Sequence, residues 1–231
     1  MINPPTPFAA ALAARAIVGF ARVLTGVRAL WHGGAPDATP TVYFANHTSH
    51  GDFVLVWTAL PPRLRQRTRP VAAADYWQRS ALRRFIGTGV FRALLIDRER
   101  RAPDDGTPGP VQQMAACARA GESLILFPEG TRNTGDDALL PLKSGLFHLA
   151  QACPELRLVP VWIENLKRVL PKGCVLPVPL ACSVEFGPLL ALQPGESKPA
   201  FLARARAAML ALRPDSEVES DPDPDTEPTA A

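Results

Sequence analysis

A chain of 231 residues, 47% of them hydrophobic, is long enough to bury a sizeable core and short enough to form one large domain. Cys117, Cys153, Cys174 and Cys182 are scattered with no Cys-x-x-Cys pair, which disfavours a disulfide scaffold; with no signal-peptide pattern evident, reduced cytosolic thiols are expected. The net charge of +3 hides an asymmetry: residues 214–231 hold seven acids and no base, so the first 213 residues carry 25 basic against 15 acidic residues.

Taken in order, the pattern alternates between helical and extended periods. Residues 8–24 read as a helix in which Arg15 and Arg22 fall seven residues apart on one face of an apolar sequence. Its uncharged runs are far shorter than the ~18 to 20 residues that span a bilayer. The expectation is therefore an amphipathic helix that lies in a membrane interface or packs on the domain. Thr25-Gly26 ends it, and Gly33-Gly34-Ala35-Pro36 is a loop. A strand is expected at 41–45 and a helix at 52–60, closed by Pro61-Pro62. Asp75 is placed to cap a helix running to about Ile86, followed by a strand at 93–96. Residues 100–110 have turn chemistry throughout. A helix over 111–120 ends at Gly121. Then come a strand at 123–127, a helix at 144–152, a strand at 158–163, an apolar Pro-rich stretch, a strand at 181–186 and a helix near 199–212. Such alternation predicts an α/β fold with a largely parallel sheet flanked by helices. The chain divides into an N-terminal amphipathic helix within 1–30, a domain over 31–213 and an acidic, Pro-punctuated tail at 214–231 that is too polar to bury and is expected to be disordered.

The basic body suits an anionic partner. Between Arg63 and Arg101 lie eleven arginines against Asp75, Asp97 and Glu99, consistent with a phosphate-bearing ligand or an anionic lipid surface. Nucleic acid is disfavoured, since no aromatic stacking platforms interleave with the arginines and no recognition motif is present. A bias of 21 Arg to 4 Lys with abundant Ala and Pro is also what GC-rich coding produces.

Four segments carry chemistry. In Asn46-His47-Thr48-Ser49-His50-Gly51-Asp52, a histidine is followed five residues later by an aspartate, at a junction between two apolar runs. A carboxylate on one imidazole nitrogen fixes the tautomer and leaves the other nitrogen to take a proton. That is two-thirds of a Ser-His-Asp triad, with the hydroxyl left to the substrate. The spacing of His47, His50 and Asp52 also resembles a partial metal site, but His32 and His148 have no supporting spacing, so no metal is expected. Ser49 lacks a nucleophile elbow. In Phe127-Pro128-Glu129-Gly130-Thr131-Arg132, a strand stops and releases an acid, a glycine, a hydroxyl and an arginine where open α/β sheets bind ligands. Arg132 offers a planar fork for phosphate, and Glu129 is placed either to hold that arginine or to bind a substrate hydroxyl. Alone, such a segment reads first as an ordinary turn with a surface salt bridge. Asp97-Arg98 ends another strand, where Arg98 would be a second phosphate ligand. Pro160, inside the apolar run Leu158–Ile163, marks an edge, a bulge, a bent core strand or the wall of an acyl-chain path.

Together and in this order, these segments resemble the glycerolipid acyltransferase family, in particular the 1-acyl-glycerol-3-phosphate acyltransferases. Asn46, His47 and Asp52 match its Asn-His-x4-Asp motif, Asp97-Arg98 its second block, residues 127–132 its Phe-Pro-Glu-Gly-Thr-Arg motif and Val159-Pro160-Val161 its apolar-Pro-apolar block. Pro141-Leu142-Lys143-Ser144-Gly145 looks like its Lys-x-Gly segment. The resemblance covers roughly residues 30–190. It implies a mixed, largely parallel sheet of the glycerol-3-phosphate acyltransferase type. It also implies transfer of a fatty acyl group from acyl-CoA or acyl carrier protein to the hydroxyl of a lysophospholipid, with no cofactor. His47 would be the general base and Asp52 its stabiliser. Arg98, Glu129, Gly130, Thr131 and Arg132 would form the acceptor's phosphate site, and backbone N–H groups near 46–49 would face the oxyanion. The implied setting is the cytoplasmic face of the cell membrane, with peripheral or monotopic attachment to anionic lipids. The alternatives are another acceptor such as a lyso-ornithine lipid, a thioester or phospholipid hydrolase in which His47 activates water, and a silent lipid-binding protein.

Overall fold

The computed structural model of the chain describes residues 7–97, 108–164 and 181–214. Arg98, Cys174, most of the turn-rich segment, the Pro-rich stretch and the acidic residues 215–231 lie outside the described residues.

Strands β1 (Arg28–Trp31), β2 (Thr41–Ala45), β3 (Thr68–Ala73), β4 (Leu94–Ile96), β5 (Ser123–Leu126), β6 (Arg157–Ile163) and β7 (Ser183–Phe186) form one seven-stranded sheet in the order β1-β7-β6-β2-β5-β3-β4. All neighbours are parallel except β6 and β7. The sheet is mixed and largely parallel, as expected. β2 sits at its centre and is buried along its whole length. Its side chains alternate between two cores: Tyr43 and Ala45 join Ile125, Val161 and Phe186 on one face, while Val42 and Phe44 join Leu124, Leu158 and Trp162 on the other. A strand covered on both faces needs a continuous apolar run, which Val42-Tyr43-Phe44-Ala45 provides.

Helices α1 (Pro7–Thr25) and α2 (Asp52–Ala59) cover the first face, together with a π-helical turn at Phe85–Val90. Three short helices, α3 (Pro62–Arg65), α4 (Ala74–Trp77) and α5 (Ala81–Arg84), connect β2 to β4 around β3. Helices α6 (Pro110–Arg119), α7 (Gly145–Ala152) and α8 (Lys198–Leu210) cover the second face.

The structure departs from the sequence expectations, or decides between them, in four places. β1 and β3 were not foreseen: β3 reads Thr-Arg-Pro-Val-Ala-Ala and looks like part of the arginine-rich span. It pairs with β5 over Thr68–Pro70 and with β4 over Val71–Ala73, changing partner directly after its proline. The helix expected from Asp75 to Ile86 is broken instead. Asp75 lies in the first turn of α4, and a new helix starts where the Ser80 side chain accepts the Arg83 N–H at 3.2 Å. Pro160 is in an interior strand, opposite Phe44 on β2, and does not line the main cleft. Its carbonyl accepts the Gly187 N–H, at the point where the chain leaves β7 for Pro188, so its missing donor falls where pairing ends.

The fourth place is α1, a helix as expected. Phe8–Thr25 is 18 residues long and, by length and composition alone, apolar enough to cross a membrane despite Arg15 and Arg22; helices of soluble cores and signal sequences pass the same test. Val18 packs into the first core with Ile17 and Leu24 against it, while Phe8, Leu12, Phe20 and Val23 stay 75%, 57%, 67% and 88% exposed.

Among the described arginines of the patch, Arg65, Arg67, Arg69 and Arg92 are taken up by the fold. Arg65 donates to the carbonyls of Trp57, Thr58 and Leu60, each at 2.8 Å, satisfying groups that the end of α2 leaves open. Arg67, Arg69 and Arg92 likewise donate to the main-chain carbonyls of Gly121, Arg92 and Gln66. Arg79 and Arg84 are exposed, and Arg83 is half-buried.

Candidate functional site

β2 and β5 are parallel neighbours, with Val42 opposite Leu124, Tyr43 opposite Ile125 and Phe44 opposite Leu126. The segments that follow them therefore leave the carboxyl edge of the sheet side by side, where open α/β sheets form ligand clefts. Asn46 ties the first segment to β6: its Nδ2 donates to the Ile163 carbonyl at 3.1 Å, and its Oδ1 accepts the Ile163 N–H at 2.7 Å.

His47 and Asp52 come together as expected. Nδ1 of His47 lies 2.8 Å from Oδ2 of Asp52, and the same oxygen accepts the N–H groups of Thr48 at 2.6 Å and Ser49 at 2.8 Å. Asp52 opens α2 and is fully buried. Three donors converging on one oxygen hold the carboxylate still, and with it the imidazole. The carboxylate makes Nδ1 the proton-bearing nitrogen and leaves Nε2 to accept. Phe127 stacks on the His47 ring with centroids 4.2 Å apart. The N–H groups of Thr48 and Ser49 are spent on Asp52, and that of His47 on Glu129 at 2.6 Å. Of the N–H groups near 46–49 expected to face an oxyanion, those of His47, Thr48 and Ser49 are therefore engaged within the protein.

The expectation for Glu129 is corrected. Its Oε1 accepts the His47 N–H and its Oε2 the Leu140 N–H at 3.0 Å, and the side chain is 1% exposed. Burial pushes its carboxyl above the ordinary carboxylate range, against the pull of these two N–H bonds. It holds neither Arg132 nor a surface that a phosphate could reach. Gly130 then turns outward at φ +71°, a left-handed conformation that suits glycine; a Cβ there would also come within 3.2 Å of Lys143 Cγ. Thr131 and Arg132 emerge exposed beside Lys143, at the wall of a cleft of about 700 Å³.

The lining of that cleft is mixed. Val71, Phe91, Met114, Leu126 and Leu146 are among its apolar residues, and His47, His50, Tyr76, Arg132 and Lys143 among its polar ones. His50 stacks on Tyr76 at 5.2 Å, and the Arg83 guanidinium lies over the same ring at 4.6 Å. Burial, then Arg132, holds the His50 pKa below its usual value. Among the described residues no three His, Cys, Asp or Glu side chains gather as metal ligands do. Asp97 follows β4, two strands beyond β5 on the same edge; Arg98 lies outside the described residues.

One residue of the site was not read from the sequence. Asn133 is buried; its N–H donates to the His47 carbonyl at 2.6 Å, and its side chain bonds the Gly135 N–H and the Asp137 carbonyl. The only available signal was Asn-x-Gly turn chemistry directly after Arg132.

Comparison with known proteins gives a family and a fold. A family model described as Acyltransferase matches residues 31–164. A lyso-ornithine lipid O-acyltransferase of Brucella abortus (strain 2308) is 28% identical over 133 residues, 56% of this chain and 44% of the relative. A 1-acyl-sn-glycerol-3-phosphate acyltransferase of Limnanthes alba is 28% identical over 149 residues, 64% of this chain and 49% of the relative. The chain spans about half the length of the curated relatives it matches. The crystal structure of a 1-acyl-sn-glycerophosphate acyltransferase from Thermotoga maritima shares the fold: TM-score 0.64 at 16% identity, over 92% of this chain and 83% of that one.

Proposed function

Because the chain belongs to the Acyltransferase family, we propose that it transfers a fatty acyl group from an acyl thioester, acyl-CoA or acyl carrier protein, to the free hydroxyl of a lysophospholipid. The acceptor that fits best is 1-acyl-glycerol-3-phosphate, giving phosphatidate. The observation that carries this reading is the His47–Asp52 pair at the rim of an apolar cleft that also presents Arg132 and Lys143.

The geometry supports the following chemistry. Nε2 of His47 takes the acceptor's proton as its oxygen attacks the thioester carbonyl, and Asp52 offsets the positive charge of the imidazolium. The tetrahedral intermediate collapses by breaking the carbon–sulfur bond, and the thiolate recovers the proton from His47. A thiolate leaves readily, so neither a protein nucleophile nor a cofactor is called for. Arg132, Lys143 and, from the motif, Arg98 suit the acceptor's phosphate. Gly130 and Thr131 shape that loop. The apolar part of the lining suits an acyl chain.

The membrane supplies a lipid acceptor, and the exposed Phe8, Leu12, Phe20 and Val23 with Arg15 and Arg22 give α1 an apolar, basic surface for anionic lipids. The setting proposed is the cytoplasmic face of the cell membrane. The test is purified protein with an acyl thioester and a panel of lysolipids that includes a lyso-ornithine lipid, following free thiol and lipid product together. Matched release of thiol and a diacyl lipid, abolished in His47→Ala, is expected. Thiol without acylated lipid would replace the transferase with a hydrolase.

A further inference from the structure

The backbone of His47 is held from both ends by the loop that carries Arg132. Its N–H donates to Glu129 Oε1 and its carbonyl accepts the Asn133 N–H, each at 2.6 Å. Both gripping residues are buried, at 1% and 4% exposure, so neither bond competes with bulk water. Each is braced in turn: Glu129 Oε2 holds the Leu140 N–H, and the Asn133 side chain closes its own turn onto Gly135 and Asp137. A buried carboxyl whose pKa is raised, on a loop beside the cleft yet turned away from it, has no role in the chemistry set out above.

We propose that Glu129 and Asn133 are positioning residues: they clamp the His47 main chain at its N–H and at its carbonyl and fix the imidazole relative to Arg132, between them on the same loop. This rests on the acyl-transfer reading. In it, Asp52 sets which nitrogen bears the proton, while the clamp sets where the other nitrogen stands against a phosphate-anchored hydroxyl. Misplacing a catalytic group by about 1 Å costs on the order of 10²-fold in rate, so a hydrogen-bonded grip on the main chain acts directly on turnover.

The decisive variant is Glu129→Gln, which keeps shape but can present an oxygen to only one of the two N–H groups. Wild type, Glu129→Gln and Asn133→Ala are compared for thermal midpoint, for kcat and acceptor KM, and for the His47 ring by ¹⁵N-histidine NMR, assigned with His47→Gln. The expected result for Glu129→Gln is a cooperatively folded protein with kcat down ~10- to 100-fold, acceptor KM within about twofold and a shifted or broadened His47 Nδ1–H resonance. Asn133→Ala should move both readouts the same way by a smaller amount. An unmoved resonance with unchanged kcat overturns the clamp. So does a rise in acceptor KM at constant kcat, which would return Glu129 to the acceptor site. A wild type that acylates no lysolipid removes the acyl-transfer reading instead, and the NMR comparison still decides whether Glu129 positions the ring.

Discussion

Replacing Asp52 by Asn isolates the charge that faces His47. Oδ2 of Asp52 accepts the Thr48 and Ser49 N–H groups and sits 2.8 Å from Nδ1, while Oδ1 has no partner among the described residues. The Asn amide can therefore place its oxygen at the Oδ2 position and its Nδ2 at the vacant one without breaking a bond, so the fold and the tautomer of His47 should persist. What disappears is the attraction to the imidazolium formed in the transfer step. At an effective dielectric near ~20, opposite unit charges about 4 Å apart attract by about 4 kcal/mol, and the complete burial of Asp52 limits screening by salt. At about 1.4 kcal/mol per decade, kcat should fall ~10³-fold. The measurement is kcat at saturating thioester and lysolipid from about pH 6 to about pH 9, with the thermal midpoint as the folding control. A folded Asp52→Asn protein whose kcat stays within about tenfold of wild type across that range would show that no imidazolium forms against Asp52, and would remove His47 as the base.

Arg132→Ala should raise the acceptor KM about tenfold or more, leaving the thioester KM nearly unchanged, because a charge-assisted phosphate contact is lost; equal effects on both substrates would take Arg132 out of the phosphate site. In Gly87→Ala the new Cβ would stand 2.7 Å from Cε3 of Trp77, which packs edge-on against Phe53, so urea titration should show a loss of about 1–3 kcal/mol. Gly19→Ala, with open space around it on α1, should be neutral or stabilising by up to about 1 kcal/mol. Asp37 accepts the Thr39 N–H and pairs with Arg157, and these hold its pKa at about 2 instead of 3.8. A lowered carboxyl pKa contributes stability above the unfolded value and loses it as pH falls towards the folded one. Urea midpoints of wild type should therefore fall relative to Asp37→Asn between pH 3.8 and about 2, and parallel curves would refute the pairing.

What was legible in the sequence is what short-range pattern can encode. The apolar runs of β2, β5 and β6 declared themselves because strands buried on both faces have no polar positions to blur them. The His47–Asp52 pair was legible because both members lie on one junction, five residues apart. β3 was not, since its Arg69 and Pro70 are tolerated only by a neighbour exchange that no local pattern announces. The arginine patch misled for a related reason: a guanidinium that reaches main-chain carbonyls, as Arg65 does, looks the same in sequence as one that awaits a phosphate. Glu129 is the sharpest case. Its chain neighbours Gly130, Thr131 and Arg132 line or face the cleft, yet its own direction is set by a backbone 82 residues away.

That reversal explains the run Phe127–Arg132 residue by residue. Phe127 supports the imidazole face, and Pro128 lends its carbonyl to the Lys143 N–H at 2.7 Å. Glu129 turns in to hold the His47 peptide, and Gly130 adopts the left-handed turn that brings the chain back out. Only then can Thr131 and Arg132 face the cleft. Within six residues the loop stacks on the His47 ring, grips its main chain and presents Arg132 to the cleft. A change at either buried member should therefore be read out at His47 before it is felt at the phosphate. Such an order separates a positioning role from a binding one.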